Sequence, residues 1–140
     1  MITYKEMTKN NIKEALEFWA GVPGVHLHDN GEDTYEGILL YLERNPGFSF
    51  IAESDGEIAG AVLCGHDGRR GFINHLAVGT SYRHQGIGRH LVDLTLDRLK
   101  NNNITKCALF VIKENTSGQE FYKAIDFSQE NIVNVFSKVL

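Results

Sequence analysis

Residues 76–92 read Leu76-Ala77-Val78-Gly79-Thr80-Ser81-Tyr82-Arg83-His84-Gln85-Gly86-Ile87-Gly88-Arg89-His90-Leu91-Val92. An apolar, strand-like run ends here, a polar loop with two glycines follows, and a segment with helical spacing begins. The first N–H groups of a helix lack internal partners and carry partial positive charge, so this junction predicts an anion site. Gly86 and Gly88 let an anion approach the backbone, and Arg83 and Arg89 flank the loop. We therefore expect a cradle for a pyrophosphate.

Short glycine motifs also occur in turns that bind nothing, and that alternative remains open for the residues alone. Two other phosphate-binding motifs are disfavoured. The loop has no Gly-Lys-Ser/Thr, which a P-loop requires. It also lacks a full G-x-G-x-x-G followed by an acidic residue that closes a βαβ unit, which a dinucleotide fold requires.

Several motifs resemble those of the GNAT superfamily of acyl-CoA-dependent N-acetyltransferases. Residues 83–88 resemble the R/Q-x-x-G-x-G/A signature of the family, and residues 76–78 resemble its LAV strand. The spacing of Asn115 and Tyr122 resembles that of its N-x6-Y helix. Residues 65–71, Gly-His-Asp-Gly-Arg-Arg-Gly, resemble the G-x-D-G-H-R-G turn of a branch of small single-domain members, with Arg69 in place of His. The family usually has Gly where Asp126 stands, and Asp tolerates a left-handed helix end better than most residues. The resemblance spans about residues 60–127.

The resemblance implies a fold of the α/β (α+β) class over one domain, residues 1–140. The expected sheet is mixed, mostly antiparallel and of six to seven strands, flanked by four helices. The sequence pattern agrees in element order, with Asp33 expected to cap the second helix and Asp55-Gly56 expected to turn a hairpin. A closing hairpin is expected from Phe127-Ser128 and Ile132–Leu140, and the last strand is a candidate edge for a homodimer.

The composition limits the classes of function that are compatible with the chain. The chain has 140 residues, 42% of them hydrophobic and 23% charged, which is typical of a soluble globular domain. A net charge of −4 argues against a nucleic-acid partner. No apolar run reaches membrane-spanning length and the first residues resemble no signal peptide, so we expect no membrane partner. Cys64 and Cys107 lie in apolar runs as two isolated thiols, and we expect a cytoplasmic location.

The resemblance also implies residues that bind acetyl-CoA as co-substrate. The backbone of Leu76, Ala77 and Val78 is expected to hold the pantetheine amides and to offer an N–H to the oxyanion. The expected pyrophosphate contacts come from side chains and N–H groups of the loop: Arg83, His84, Gln85, Gly86, Ile87, Gly88 and Arg89. For His84, a solvent-facing loop position is the alternative.

Tyr122 corresponds to the family tyrosine near the thioester sulfur, and we expect it to act as general acid. The alternative is an aromatic side chain that only packs the last helix, beside Phe121. Asn115 is expected to bind the pantetheine arm or to fix the strand–helix junction. A plain helix N-cap explains Asn115 equally well.

The general base is the least determined role. Many members of the family use a Glu on the strand before the loop, but Phe72–Val78 contains no acidic residue. His75 is the titratable residue there, and histidine titrates near neutral pH; the alternative is a histidine packed away from the cleft. Other candidates lie on the loop between the first two helices: His26, His28, Asp29, Glu32 and Asp33. Two alternate histidines and one Asp fall short of a zinc pattern, so we expect no metal.

We therefore expect an N-acetyltransferase that moves an acetyl group to a primary amine by direct attack in a ternary complex. The acceptor is a small-molecule amine or a protein amino group. Two alternatives from other classes are a non-catalytic acyl-CoA sensor and a phosphate- or nucleotide-binding regulatory domain. Tyr122 argues against the first, and the LAV strand with the Asn115–Tyr122 spacing argues against the second.

Overall fold

The computed structural model describes all residues from Met1 to Leu140. It divides into two compact units, Met1–Phe110 and Val111–Leu140. The first unit contains β1 Ile2–Glu6, α1 Ile12–Ala20, α2 Tyr35–Arg44, β2 Phe50–Ser54, β3 Glu57–His66, β4 Gly71–Val78, α3 Ile87–Asn101 and β5 Cys107–Leu109, and the second contains α4 Thr116–Ala124. None of these helices is long and apolar enough to cross a membrane.

The strands form one sheet in the order β1-β2-β3-β4-β5. The first four strands are antiparallel, and β5 pairs parallel to β4 after the α3 crossover. The β2–β3 hairpin turns at Asp55 and Gly56, whose φ angles of 51° and 83° are left-handed as an Asp-Gly turn requires. The mixed, mostly antiparallel sheet and the four α-helices are confirmed.

The predicted number of strands is wrong, because the sheet has five strands and not six to seven. Neither Phe127-Ser128 nor Ile132–Leu140 forms a strand, so the expected closing hairpin is absent. Strand-type side chains are not enough to make a strand, since its backbone needs a hydrogen-bonded neighbour. In Ile132–Leu140 the apolar side chains are exposed, among them Ile132, Phe136 and Val139 at 92%, 92% and 96%.

Helices cover both faces of the four antiparallel strands. On one face α1 and α2 pack into a core with β2–β4 that includes Ile12, Trp19, Ile38, Ile51, Ala61 and Leu63. On the other face α3 approaches so closely that a Cβ at Gly60 would lie 3.0 Å from Ile87 and 3.1 Å from Leu91. The glycine therefore sets how near α3 lies to β3, and with it the position of the loop that precedes α3.

The start of α2 differs from the prediction. Asp33 does not cap α2; the N-cap is Thr34, whose hydroxyl accepts the Gly37 N–H at 3.1 Å. One cap is enough for the first turn, so the Asp33 carboxylate is available for other partners. At the other end of the sheet, β5 is only three residues long, Cys107–Leu109, although apolar residues continue to Ile112.

The second unit is built around α4. Asn115 caps this helix, and its side-chain oxygen accepts the Gly118 N–H at 2.9 Å. Just after the helix, Asp126 has a φ of 73°, so it occupies the left-handed conformation for which glycine is usual. The Tyr122 ring packs edge-on against Phe121 and Phe127.

Candidate active site

The junction of β4 with α3 leaves backbone donors open. The N-cap of α3 is Gly86, which has a φ of 79° and no side chain to cap the helix. By helix geometry the N–H groups of Ile87, Gly88 and Arg89 have no partner inside the helix. The helices α2 and α4 differ, because Thr34 and Asn115 fill the corresponding positions with side-chain oxygens. An anion could therefore bind the start of α3 through several N–H groups.

The side chains of the loop are open to solvent. Arg83, His84, Gln85 and Arg89 are all exposed. Arg83 lies beside the end of β4, where its Nε donates to the Val78 carbonyl at 3.4 Å. His84 has a φ of 63°. The loop and the first turn of α3 thus carry two guanidinium groups and an imidazole, which are donors that an anion can bind.

The pairing of the two parallel strands ends before β4 reaches this loop. Pairing of β4 with β5 ends at Ile73 opposite Leu109. Leu76, Ala77 and Val78 lie beyond that point, so no strand pairs with them on the β5 side. Their backbone amides on this edge are able to pair with an extended ligand, as a further strand would.

A β-bulge interrupts β4 in the same region. The β3 partner of Ala77 is Ala61, but that of Asn74 is Leu63, so His75 and Leu76 together oppose one residue. His75 has a φ of 51°, which is rare for a residue other than glycine. Such a conformation costs about 1 kcal/mol or more, and it persists where the surroundings determine it. A bulge also turns the side chains that follow it, which alternation along a regular strand does not anticipate.

The surroundings of His75 include a buried carboxylate. Its Nε2 lies 2.6 Å from Oδ1 of Asp33. The second carboxylate oxygen of Asp33 accepts the backbone N–H of His28 at 2.8 Å. The side chains of Asp33 and His75 are 4% and 19% exposed, and the Trp19 ring lies 5.4 Å from the imidazole ring. The structure thus joins two of the candidate bases, His75 and Asp33, into one pair.

The side chains of the remaining candidate bases are open to solvent. His26, His28, Asp29 and Glu32 are exposed. His28 and Glu32 approach each other only to 3.7 Å. No group of three histidine, cysteine or acidic side chains is placed to hold a metal ion.

Burial keeps the two thiols protonated. Both cysteines are free. Burial raises the pKa of Cys64 to about 12 and that of Cys107 to about 11. Because the thiolate is the nucleophile, neither cysteine is activated for attack at neutral pH.

The match to protein families decides the classification. Residues 12–127 match the acetyltransferase (GNAT) family model. The chain belongs to the GNAT acetyltransferase family. A related GNAT protein is N-alpha-acetyltransferase 30 of Schizosaccharomyces pombe, 33% identical over 92 residues. That alignment covers 62% of this chain and 61% of the fission yeast protein.

Solved GNAT structures share the fold. The PaiA N-acetyltransferase of Thermoplasma acidophilum, solved in complex with coenzyme A, has a TM-score of 0.79 and 18% identity over 93% of this chain and 91% of its own. AAC(6')-Iy, solved with the bisubstrate analogue CoA-S-monomethyl-acetylneamine, has a TM-score of 0.75 and 19% identity over 100% and 99% of the two chains. At these identities the likeness establishes the α/β GNAT fold.

Two features of the site had no clear signal in the sequence. The bulge in β4 contains no glycine, which is the residue that would have indicated a bulge in the sequence. The pairing of Asp33 with His75 joins residues 42 positions apart. A local hint existed, since Asp33 and Thr34 are two capping residue types at a helix start that needs one.

Proposed function

We propose that this GNAT protein is an acetyl-CoA-dependent N-acetyltransferase that acetylates a primary amine by direct attack in a ternary complex. The observation that carries the proposal is the form of the β4–α3 junction. An unpaired strand edge at residues 76–78 leads into the uncapped start of α3. A pantetheine arm can pair with such an edge, and a pyrophosphate suits the N–H groups that follow.

We propose that both backbone and side-chain groups contact the cofactor. Leu76, Ala77 and Val78 hold the pantetheine amides through their main chain. Arg83, His84 and Arg89 add cationic or hydrogen-bonding side chains around the pyrophosphate, which the N–H groups of Gln85, Gly86, Ile87 and Gly88 contact. Asn115, whose side-chain oxygen caps α4, is proposed to contact the pantetheine arm through its remaining donors.

The proposed transfer is a single displacement at the acetyl carbonyl. His75 takes a proton from the acceptor amine as its nitrogen bonds to the carbonyl carbon. A backbone N–H of 76–78 stabilises the oxyanion. The carbon–sulfur bond then breaks and Tyr122 gives its proton to the departing thiolate. The products are the N-acetyl amine and CoA with a free thiol. The raised pKa values of Cys64 and Cys107 support direct attack over a covalent acetyl-enzyme.

The experiment that tests this proposal is a screen of acceptor amines. Relatives are named for different acceptors: an N-alpha-acetyltransferase and an aminoglycoside N-acetyltransferase. We would incubate the protein with acetyl-CoA and three classes of amine: peptides with a free N-terminus, N-blocked peptides containing lysine, and aminoglycosides. Release of free thiol with a matching acetyl mass on one class supports the proposal. Binding of acetyl-CoA with no acetylation of any class would favour the sensor instead.

Tyr122→Phe is expected to lower kcat about 100-fold, because the phenol is the proposed proton donor to the thiolate. The ring contacts with Phe121 and Phe127 remain in this variant. The dissociation constant for CoA should therefore stay within about threefold, that is, within about 0.7 kcal/mol. Steady-state kinetics and calorimetry measure both quantities. The matched control is Tyr35→Phe, and a rate for Tyr122→Phe equal to that control would remove Tyr122 from the mechanism.

The turn before β4 supports a place in the branch with the G-x-D-G-x-R-G motif. Asp67 Oδ1 accepts the backbone N–H groups of Arg69 and Arg70, both at 2.8 Å. These hydrogen bonds hold the pKa of the Asp67 carboxyl below its usual value, and the one from Arg70 has the larger effect. Gly68 has a φ of 96°, which favours glycine. We propose on this basis that residues 1–140 form one small N-acetyltransferase domain.

We also propose a homodimer, formed through the apolar residues of 132–140. Ile132, Phe136 and Val139 are almost fully exposed, and β5 is an edge strand with one neighbour. A second copy offers an equivalent segment and an equivalent edge. Sedimentation velocity should give a dimer at micromolar concentration, and Phe136→Glu should give a monomer. A wild-type monomer at the same concentration would contradict the proposal.

The compartment we propose is the reducing cytoplasm. Its support is the pair of free cysteines, which an oxidising compartment would tend to pair.

A further inference from the structure

The contact between Asp33 and His75 bears on which ring nitrogen of His75 carries the proton. Opposite an ionised carboxylate, which only accepts hydrogen bonds, the imidazole Nε2 at 2.6 Å is the donor. A neutral imidazole has one N–H, and the other nitrogen carries a lone pair. Nδ1 of His75 makes no hydrogen bond in the structure. The contact therefore leaves Nδ1 as the basic nitrogen of His75.

We propose that Asp33 is a positioning residue, whose carboxylate keeps the proton of His75 on Nε2 and so leaves Nδ1 to take the proton of the acceptor amine. This inference rests on the proposed function. The bulge in β4 turns the His75 side chain toward the loop between α1 and α2, which carries Asp33. The Trp19 ring, which is fully buried, packs against the imidazole and limits its rotation.

The second oxygen of Asp33 makes a sharp test possible. It accepts the backbone N–H of His28 at 2.8 Å. In Asp33→Asn, only the amide oxygen can accept that N–H, so the amide NH2 group must face Nε2 of His75. Nε2 then has to accept, and the proton of a neutral imidazole moves to Nδ1. The variant should therefore reverse the tautomer of His75 with almost no change in shape.

The expected result is a reversed tautomer together with a loss of rate. Long-range 1H–15N spectra of 15N-labelled protein distinguish a protonated from an unprotonated ring nitrogen. The signals of His75 are assigned as those missing from His75→Gln. We expect Nε2–H in the wild type and Nδ1–H in Asp33→Asn. With the best amine from the screen, kcat should fall about 100-fold, while the dissociation constant for CoA changes less than about twofold.

The control is Asp97→Asn on the exposed face of α3, which should keep the wild-type tautomer and rate. An Nδ1–H tautomer in the wild type would overturn the inference, and this measurement needs no variant to fold. An unreversed tautomer in folded Asp33→Asn would also overturn it. A reversed tautomer with unchanged kcat would remove His75 as the base. Failure of the wild type to bind CoA would instead refute the proposed function, and the spectra would still test the role of Asp33.

Discussion

Replacing Gly88 with glutamate is expected to abolish binding of CoA. Gly88 is in the first turn of α3, where the N–H groups of Ile87, Gly88 and Arg89 have no helical partner. A carboxylate there would occupy the space that we propose for the pyrophosphate of CoA and would repel its charge. We expect the dissociation constant for CoA to rise at least about 100-fold, or about 2.7 kcal/mol. Calorimetric titration with CoA measures the change.

Thermal unfolding of Gly88→Glu must accompany that titration, because Gly88 is buried. An exposed second variant, Arg89→Glu, introduces the same charge conflict without touching the core, and we expect about a tenfold weaker affinity. The control Lys100→Glu alters charge near the far end of the same helix and should bind CoA as the wild type does. A folded Gly88→Glu protein with unchanged affinity would show that the pyrophosphate binds elsewhere.

Replacing His75 with glutamine is expected to lower kcat between about 100-fold and about 10,000-fold. His75 is the proposed general base, and loss of a general base typically has an effect of this size, since the amine must lose a proton as it attacks. The glutamine amide can still donate to Asp33, but it cannot take up a proton. Binding of CoA should be unchanged. Steady-state kinetics with the amine found in the screen gives the rate.

The matched control is His66→Gln, which removes a half-buried histidine from the neighbouring strand. His66 packs against Phe48, and its Nδ1 accepts the Gly68 N–H at 3.0 Å. We expect this variant to retain wild-type kcat. Because His75 has a left-handed φ, a second variant, His75→Asn, guards against backbone strain, since asparagine tolerates that region better than glutamine does. A wild-type rate in both His75 variants would assign the base to another group.

Local signals predicted the part of the site that backbone forms. A strand, two glycines and an amphipathic segment occur in one continuous stretch, and this stretch folds into β4, the loop and α3. The N-cap role of Asn115, one of its two predicted roles, and the left-handed position of Asp126 were also predictable, because both depend on neighbours within a few residues.

The part of the site that side chains form was not predictable in the same way. Asp33 correctly indicated the start of a helix. Thr34 is nevertheless the N-cap, and the Asp33 carboxylate contacts His75 instead. Strand alternation could not place the His75 side chain, because a bulge shifts the alternation at that residue. The segment Ile132–Leu140 has the composition of a strand, but whether it pairs depends on a partner that its own sequence does not specify.

The most direct test of a CoA site at the β4–α3 junction is a calorimetric titration of the wild-type protein with acetyl-CoA, CoA and ATP in parallel. The β4–α3 junction predicts micromolar binding of acetyl-CoA and CoA, since both have the pantetheine arm and the pyrophosphate that the strand edge and the loop are proposed to hold. It predicts no comparable binding of ATP, which has phosphates but no pantetheine. Failure of both CoA compounds to bind, or tighter binding of ATP, would contradict the account.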